Sequence, residues 1–301
     1  MYKILCCLPA VLFLLNACTP KQEINADASK EEWTNLFNGK DFDGWDIKIA
    51  GYNLNDNIHN TFTVKDSMIV VDYSGYDKFT TEFGHMYYKT PYTYYKVRLQ
   101  YQFYGEQLQG GPGYARLNSG IMLHSQAAAT LGKDQSFPVS LEMQFLASDS
   151  ANKVHTGNLC TPGTLVSMNG KPADLHCIDS HSPYYYENDW INAEADVYGD
   201  SVIHHIVNGD TVLTYEKPVI AGDFVNHDFN FTSGGFAADS VKWIEQKDKP
   251  LTTGYFALQA ESHPIRFRKI ELLNLEGCMD KKALNYKSYY IKADNTTCRY
   301  K

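Results

Sequence analysis

Short segments rich in β-branched and aromatic residues recur between residues 62 and 273, separated by stretches rich in turn residues. Such spacing is typical of an all-β sandwich. The predicted strands are Phe62–Val71, Tyr94–Phe103, Ser119–His124, Val139–Leu146, Ile191–Tyr198, Ser201–Val207, Thr211–Tyr215, Tyr255–Gln259 and Ile265–Leu273. No linker interrupts them, so we predict one domain over residues 33–275.

The amino terminus has the features of a processing signal. Lys3 is followed by an apolar run from Ile4 to Leu15, which is too short to span a bilayer, and then by Asn16-Ala17-Cys18. We predict a signal peptide over residues 1–17, lipidation of Cys18 and a flexible tether over 18–32. The protein would then be an outer-membrane lipoprotein facing the periplasm or the cell surface. An ordinary secretory signal is the alternative.

Seven cysteines are present. Four remain if Cys6 and Cys7 leave with the signal and Cys18 is acylated. In an exported protein such cysteines form disulfides, because the compartment is oxidising. Of the three pairings that four cysteines allow, the spacing favours the two that close short loops, Cys160–Cys177 and Cys278–Cys298. Residues 276–301 are predicted to form a small appendage, which resembles a cysteine-bounded repeat at the ends of exported Bacteroidetes proteins.

The formal net charge of −8 becomes −9 once Lys3 is removed, which argues against a nucleic-acid partner. Aromatic residues make up 14% of the chain and include 22 tyrosines. Their flat apolar faces and polar edges suit a sugar-binding groove. Those within strands, Tyr95, Tyr101, Phe103 and Phe145, are expected in the core. Those outside strands or at their edges, Trp45, Tyr184, Tyr185, Tyr186 and Trp190, are the groove candidates.

The segment from Gly254 to Leu273 carries the densest set of candidate site residues. Two strand-like runs, 255–260 and 265–273, meet at a turn with ionisable side chains. Alternation places Gln259 and Glu261 on one face of the first run, and Arg266 and Arg268 on one face of the second. A carboxylate, an imidazole and a guanidinium near one turn could bind a polar substrate and move a proton.

A second candidate lies in the strand that contains Glu142. Alternation places Ser140, Glu142 and Gln144 on one face, and Leu141, Met143 and Phe145 on the other. We expect Glu142 to point into a groove, and a solvated position on the convex face of the sheet is the alternative.

Several motifs together resemble the 3-keto-disaccharide hydrolase family over Trp33–Leu273. They are Leu36–Asp41 with Gly44-Trp45, Asn118–Ile121, Glu142–Gln144, Gly157-Asn158, Ile206–Gly209 and Gln259–Pro264 followed by Phe267–Ile270. The resemblance implies a concanavalin-like jelly-roll sandwich of two antiparallel sheets, with substrate on the concave face.

The resemblance also implies cleavage of 3-keto-glycosides or 3-keto-disaccharides, by C2 proton abstraction and elimination of the C1 aglycone or by net hydrolysis. Such a substrate requires a separate oxidoreductase that makes the ketone. We expect a base, an acid and a group that stabilises the enolate. The expected catalytic residues are His263 as base, Glu142, Glu261 and Arg268. The expected substrate-binding residues are Trp45, His85, Asn118, His124, Gln144, Asn158, Trp190 and Gln259.

A divalent cation such as calcium or manganese is the alternative to Arg268, with His85, His124 and Glu142 as candidate ligands. No metal motif of fixed spacing is present, and no other cofactor is expected. Two other functions stay open: a conventional jelly-roll glycosidase and a non-catalytic carbohydrate-binding lipoprotein. Against the glycosidase, Gln144 stands where a second carboxylate would be wanted, although Glu261 could supply it. The segment Gly222–Thr253 is expected to form a lid, a groove wall or a cover for a sheet edge.

Overall fold

The structure, a computed structural model, describes residues 27–173, 175–222, 231, 236 and 240–301. Two antiparallel sheets pack face to face as a jelly-roll sandwich, which confirms the predicted all-β class. None of the helices in these ranges is long and apolar enough to cross a bilayer.

The first sheet has ten strands, in the order β11-β10-β15-β14-β13-β6-β17-β4-β3, with β1 also paired to β17. Their bounds are β1 Thr34–Asn35, β3 Phe62–Lys65, β4 Met68–Val71, β6 Tyr94–Phe103, β10 Thr164–Met168, β11 Lys171–Pro172, β13 Ile191–Tyr198, β14 Val202–Val207, β15 Asp210–Ile220 and β17 Ile265–Asn274.

The second sheet has seven strands, in the order β12-β9-β8-β7-β16-β5-β2. Their bounds are β2 Trp45–Ile49, β5 Gly84–Tyr88, β7 Asn118–Ser125, β8 Leu141–Leu146, β9 Asn158–Cys160, β12 Cys177–Ile178 and β16 Tyr255–Ala260. The remaining elements are the parallel pair β18 Glu276–Gly277 and β19 Lys292–Ala293, the helix α1 Ser240–Ile244, and 3₁₀ turns at Ile58–Asn60, Gly113–Ala115, Ala128–Thr130 and Asn295–Thr297.

The core lies between the two sheets and consists of the inward-facing residues of each strand. The aromatic residues predicted for the core are all buried there: Tyr95, Tyr101, Phe103 and Phe145. Tyr101 of β6 stacks on Phe145 of β8 with ring centroids 4.0 Å apart, so this pair joins the two sheets.

The expected strand Phe62–Val71 is two strands. Asp66 and Ser67 both have positive φ, 51° and 57°, which makes a tight hairpin turn between β3 and β4. The sequence prediction was wrong because Asp66 and Ser67 interrupt a run that is otherwise typical of a strand.

Both predicted disulfides are confirmed. Cys160–Cys177 joins β9 to β12, and Cys278–Cys298 closes the carboxy-terminal appendage. That appendage contacts the first described residues, because the Ser288 amide donates to the Ala28 carbonyl over 2.8 Å. Residues 1–26 lie outside the described residues, so the signal peptide and the Cys18 lipidation site stay predictions.

The segment Gly222–Thr253 lies largely outside the described residues. Of its described part, Trp243 of α1 packs with Val139 and Ile220 in a small apolar cluster. Its predicted role as a lid or wall therefore stays a prediction.

Candidate active site

A row of polar side chains crosses the outer face of the seven-stranded sheet, the face turned away from the core. The strand register pairs Asn158 with Gln144, Gln144 with Gly120, Gln259 with His85, and His85 with Lys48. Leu258 pairs with Ile121, so the next position places Gln259 beside Gly120. The hydroxyl of Ser119 donates to the Gln259 carbonyl over 2.8 Å, which confirms that this pairing continues.

The alternation predicted for β8 is confirmed. Leu141, Met143 and Phe145 are fully buried in the core between the sheets. Glu142 and Gln144 therefore project from the opposite face, and Gln144 is the more exposed of the two. The same alternation in β16 turns Gln259 outward while Leu258 and Ala260 join the core.

Gly120 makes room for the Glu142 carboxyl group. A Cβ atom at position 120 would lie 2.8 Å from Glu142 Oε1 and 3.0 Å from its Cγ. Glu142 therefore leans over the Gly120 backbone toward Gln259, into space that any other residue would fill. This glycine lies within the motif Asn118–Ile121, but no role was predicted for it. A glycine in the middle of a strand is the signal that could have identified it.

Glu142 and Glu261 are both buried, at 6% and 3% exposure. Burial raises the pKa of Glu142 to about 8, and the nearby Gln259 amide offsets part of that rise. Burial also raises the pKa of Glu261 well above its usual range, and the Glu142 charge adds to the rise. Two interacting carboxyls in a site of low polarity titrate as a pair that holds protons at neutral pH.

Several buried polar atoms around this pair have no hydrogen-bond partner. They are His85 Nε2, Asn118 Oδ1, Glu261 Oε2 and both side-chain amide atoms of Gln259. Although the Gln259 amide lies close enough to influence Glu142, neither of its atoms meets hydrogen-bond geometry. An unsatisfied buried polar group costs about 1–3 kcal/mol, so a cluster of them indicates a surface built to bind a hydroxylated ligand.

The two candidate histidines at this site are neutral at pH 7. Burial and then Lys48 lower the pKa of His85 to about 3, and burial and then Arg116 lower that of His263 to about 4. Both ring nitrogens of His263 are unpartnered, and its ring packs edge-on against Phe103 at 5.8 Å. A base with so low a pKa is weak, which disfavours the predicted role of His263.

The connection between β7 and β8 contains residues 126–137, which close one side of the polar row, the side toward Met122 and Ala257. Its Ala128 and Leu131 pack on Tyr87, Met122 and Ala257 of the sheet. The ammonium group of Lys48 donates to the carbonyls of Ile49, Tyr52 and Lys133, the last over 2.8 Å, and so fixes this connection to β2. Sequence reasoning missed Lys48, although a lysine between Ile47 and Ile49 in a strand-like run was a usable signal.

Asn158 and the disulfide support the site from β9. The Asn158 amide donates to Gln144 Oε1 and Asp179 Oδ1, each over 3.3 Å, and its Oδ1 accepts from the Ser180 amide. Cys160 stands directly opposite Glu142 in the register. The Cys160–Cys177 disulfide therefore lies beside the Glu142 side chain on the same face.

Arg268 and Trp190 are not at this site. β16 and β17 belong to different sheets, so the turn between them does not bring Glu261 and Arg268 together. In β17, Ile265 and Phe267 face the core, which turns Arg266 and Arg268 to the outer face of the ten-stranded sheet. There the Arg268 guanidinium lies 3.7 Å from the Trp190 ring centroid and donates to Gln100.

Trp45 and His124 also differ from the prediction. Trp45 is buried in the core, where its indole N–H donates to the Leu36 carbonyl over 2.9 Å. A bulge in β7 with φ of 47° at His124 turns that ring toward Tyr95, and its Nε2–H donates to the Gly199 carbonyl.

The metal candidates His85, His124 and Glu142 therefore do not converge. Within the described ranges, no group of three or more His, Cys, Asp or Glu side chains is arranged to hold a metal ion.

The surface tyrosines that follow β12 remain groove candidates. Tyr184 and Tyr186 are 47% and 44% exposed. The Lys153 ammonium donates to the Tyr186 hydroxyl over 2.8 Å, and the Tyr184 ring lies 4.9 Å from that of His155.

Two open depressions of about 450 and 340 Å³ lie away from the polar row. The larger borders β4 and is lined in part by Tyr73, Tyr76 and Tyr104, and the smaller lies on the outer face of the ten-stranded sheet. Among the described residues, neither is lined by an unpartnered buried polar atom. The unpartnered buried polar atoms therefore favour the outer face of the seven-stranded sheet over either depression as the candidate site.

Solved structures with similar arrangements have low sequence identity to this chain. One is a Parabacteroides distasonis protein provisionally described as a glycosyl hydrolase, with 20% identity, 80% of this chain and 93% of that chain covered, and a TM-score of 0.46. Another is the carbohydrate-binding module CBM66 of Bacillus subtilis, with 9% identity, 83% and 100% coverage, and a TM-score of 0.39.

No relative was found among the curated proteins. The model of the 3-keto-alpha-glucoside-1,2-lyase-like domain matches residues 32–273, which include both sheets and the whole polar row. The chain therefore belongs to this carbohydrate-active family, as its motifs indicated.

Proposed function

We propose that the protein cleaves glycosides whose glucose unit carries a ketone at C3, by removing the C2 proton and eliminating the C1 substituent. The observation that supports this most is the buried Glu142–Glu261 pair with raised pKa values, surrounded by neutral polar groups without partners. Such a pair supplies an acid and a base from one residue type, because the environment separates their proton affinities.

The proposed reaction needs two proton transfers. A ketone at C3 acidifies the hydrogen on C2, so a carboxylate can accept that proton while the electron pair enters the enolate. When the enolate collapses, the C1–O bond breaks and a C1–C2 double bond forms. The leaving oxygen takes a proton from an acid, and water added later across the double bond would give net hydrolysis.

Glu142 is the proposed base and Glu261 the proposed acid. The pKa of Glu142 rises to about 8, whereas Glu261 is also opposed by the charge of Glu142 and keeps its proton to higher pH. The neutral donors His85 and Gln259 lie in the row between them and would bind the C3 oxygen as it gains charge. The described residues offer no set of ligands for a cation at this point.

The sugar ring is proposed to lie over Gly120. The closed side of the row, formed by residues 126–137, would then hold the glucose unit, and the aglycone would leave toward Glu261. Gln144 and Asn158 lie alongside and can bind sugar hydroxyls through their amides.

The test is release of aglycone from an aryl glucoside and from its 3-keto derivative, with and without divalent metal, by protein lacking residues 1–18. We expect release from the keto form alone, and Glu142→Gln should abolish it while the exposed Glu245→Gln does not. Release from the unmodified glucoside would instead make the two carboxyls the pair of a conventional glycosidase. Binding without turnover of either compound would identify a carbohydrate-binding protein.

We also propose that Cys18 is lipidated and anchors the protein to the outer membrane, where a separate oxidoreductase supplies the keto substrate. Labelled palmitate should be incorporated by the full chain and not by Cys18→Ser. Equal labelling of both would refute the anchor without affecting the proposed reaction.

A further inference from the structure

The connection between β6 and β7, residues 104–117, lies on the side of the polar row opposite to the side that residues 126–137 close. The Leu108 amide donates to the Ser262 carbonyl, and Gln107 Nε2 donates to Ser262 Oγ, each over 2.9 Å. The Asn118 amide donates to the Tyr114 carbonyl over 3.0 Å. Continuing the register of β7 and β16 places Asn118 beside Glu261. The connection is thus attached on both sides of Glu261.

Glycines let this connection pack closely and hold one shape. A Cβ at Gly110, whose φ is +89°, would lie 2.7 Å from the Phe79 carbonyl oxygen. A Cβ at Gly111 would lie 2.5 Å from Ser262 Oγ. The ion pair between Arg116 and Asp149 holds the end that enters β7. The connection is therefore a built wall of the site rather than a loose loop.

Tyr114 stands on this wall with 63% of its surface exposed. Partial burial and then the nearby Glu261 raise the pKa of its phenol, so the ring lies within electrostatic reach of that carboxyl group. An exposed aromatic ring beside a buried acid is a platform on which a flat apolar face can stack.

We propose that Tyr114 forms the binding subsite for the leaving group, with a preference for aglycones that present a flat apolar face: the second sugar ring of a disaccharide or a planar aromatic group. The inference rests on the proposed function. The group that receives the Glu261 proton must lie next to Glu261, and the opposite side of the row is closed by Ala128 and Leu131. The leaving group therefore extends over Tyr114.

The test compares three 3-keto-glucosides that differ only in the leaving group: methanol, a second glucose and a nitrophenol. For Tyr114→Ala we expect the KM values of the disaccharide and the aryl compound to rise about tenfold relative to that of the methyl compound, the size expected for a lost stacking contact. Tyr114→Phe should restore the parent's ratios, since it keeps the ring. The exposed Tyr300→Ala in the appendage serves as the matched control.

Equal effects of Tyr114→Ala on all three compounds, or no effect on any, would overturn the subsite. If the parent cleaves no 3-keto-glucoside, the proposed function fails and the subsite is then judged by binding. In that case titration with the aryl compound of this series should show weaker binding to Tyr114→Ala than to the parent and to Tyr300→Ala. Equal binding by all three proteins, or none by the parent, would refute the Tyr114 subsite.

Discussion

Replacing Glu142 by glutamine should stabilise the fold at neutral pH while it abolishes turnover. The pKa of this carboxyl is raised from 4.5 to about 8 by burial. A carboxyl with a raised folded-state pKa stabilises the protein fully below the unfolded value of 4.5, and that contribution is lost as the pH rises toward 8. An amide keeps the shape of the protonated acid and has no such dependence.

The size of the effect follows from the two pKa values. At pH 7 the solution is 2.5 pH units above the unfolded pKa of 4.5. The folded protein must then either keep a proton on Glu142 or ionise it in its buried position, and either one lowers the free energy of unfolding. At about 1.4 kcal/mol per unit this gives roughly 3 kcal/mol. For a chain of this size it corresponds to a rise in Tm of roughly 5 °C. Since Glu142 and Glu261 interact, part of the gain comes from the release of their mutual repulsion.

The assay is urea unfolding followed by tryptophan fluorescence at pH 5 and pH 8, for the parent, Glu142→Gln and Glu245→Gln. The three proteins should have similar free energies of unfolding at pH 5. At pH 8 Glu142→Gln should be the most stable, while Glu245→Gln follows the parent because Glu245 is exposed. A Glu142→Gln variant that loses stability with pH as steeply as the parent would refute the reasoning.

Four further predictions follow from the same geometry. Gly120→Ala should displace the Glu142 carboxyl, cost about 1–3 kcal/mol and lower kcat/KM at least tenfold, whereas Gly113→Ala, which has open space and no positive φ, should leave the free energy of unfolding unchanged. Arg268→Ala should leave kcat/KM within twofold of the parent and cost about 1 kcal/mol in urea unfolding, because its contacts lie across the sandwich. The double variant Cys160→Ala/Cys177→Ala should lose activity as well as about 2–4 kcal/mol, while Cys278→Ala/Cys298→Ala should keep its kcat/KM. The rate should rise with pH toward about 8, as the base Glu142 ionises, and a profile that is flat above pH 6 would contradict that assignment.

Local periodicity predicted the parts of the structure that depend on single strands. The alternation of Leu141, Met143 and Phe145 was enough to assign the outward direction of Glu142, since a strand with one buried face has one stable register. The strand bounds of β6 and β13 were predicted to the residue for the same reason. The two disulfides followed from short sequence separations.

The errors come from contacts between distant parts of the chain. Nothing local distinguishes a hairpin from two strands that enter different sheets, so Arg268 was placed with Glu261 although β16 and β17 never pair. His124 follows a motif on a strand that alternates correctly up to Leu123, and a bulge then reverses its direction. Trp45 is the first residue of β2 and lies in the core between the two sheets. Its burial depends on this packing, which its neighbours in sequence do not reveal.

The raised pKa values also bear on which reaction the carboxyl pair can perform. A glycosidase that forms a covalent intermediate needs one carboxylate that stays ionised as the nucleophile, while only its partner is raised. Here burial raises both Glu142 and Glu261, and mutual repulsion adds to the second. Removing a proton from carbon needs a stronger base than attacking a sugar carbon that already carries positive charge, and a carboxylate with a pKa of about 8 is about three-thousandfold more basic than an ordinary one. The environment of the pair therefore supports the proposed proton abstraction next to a ketone rather than nucleophilic attack at C1.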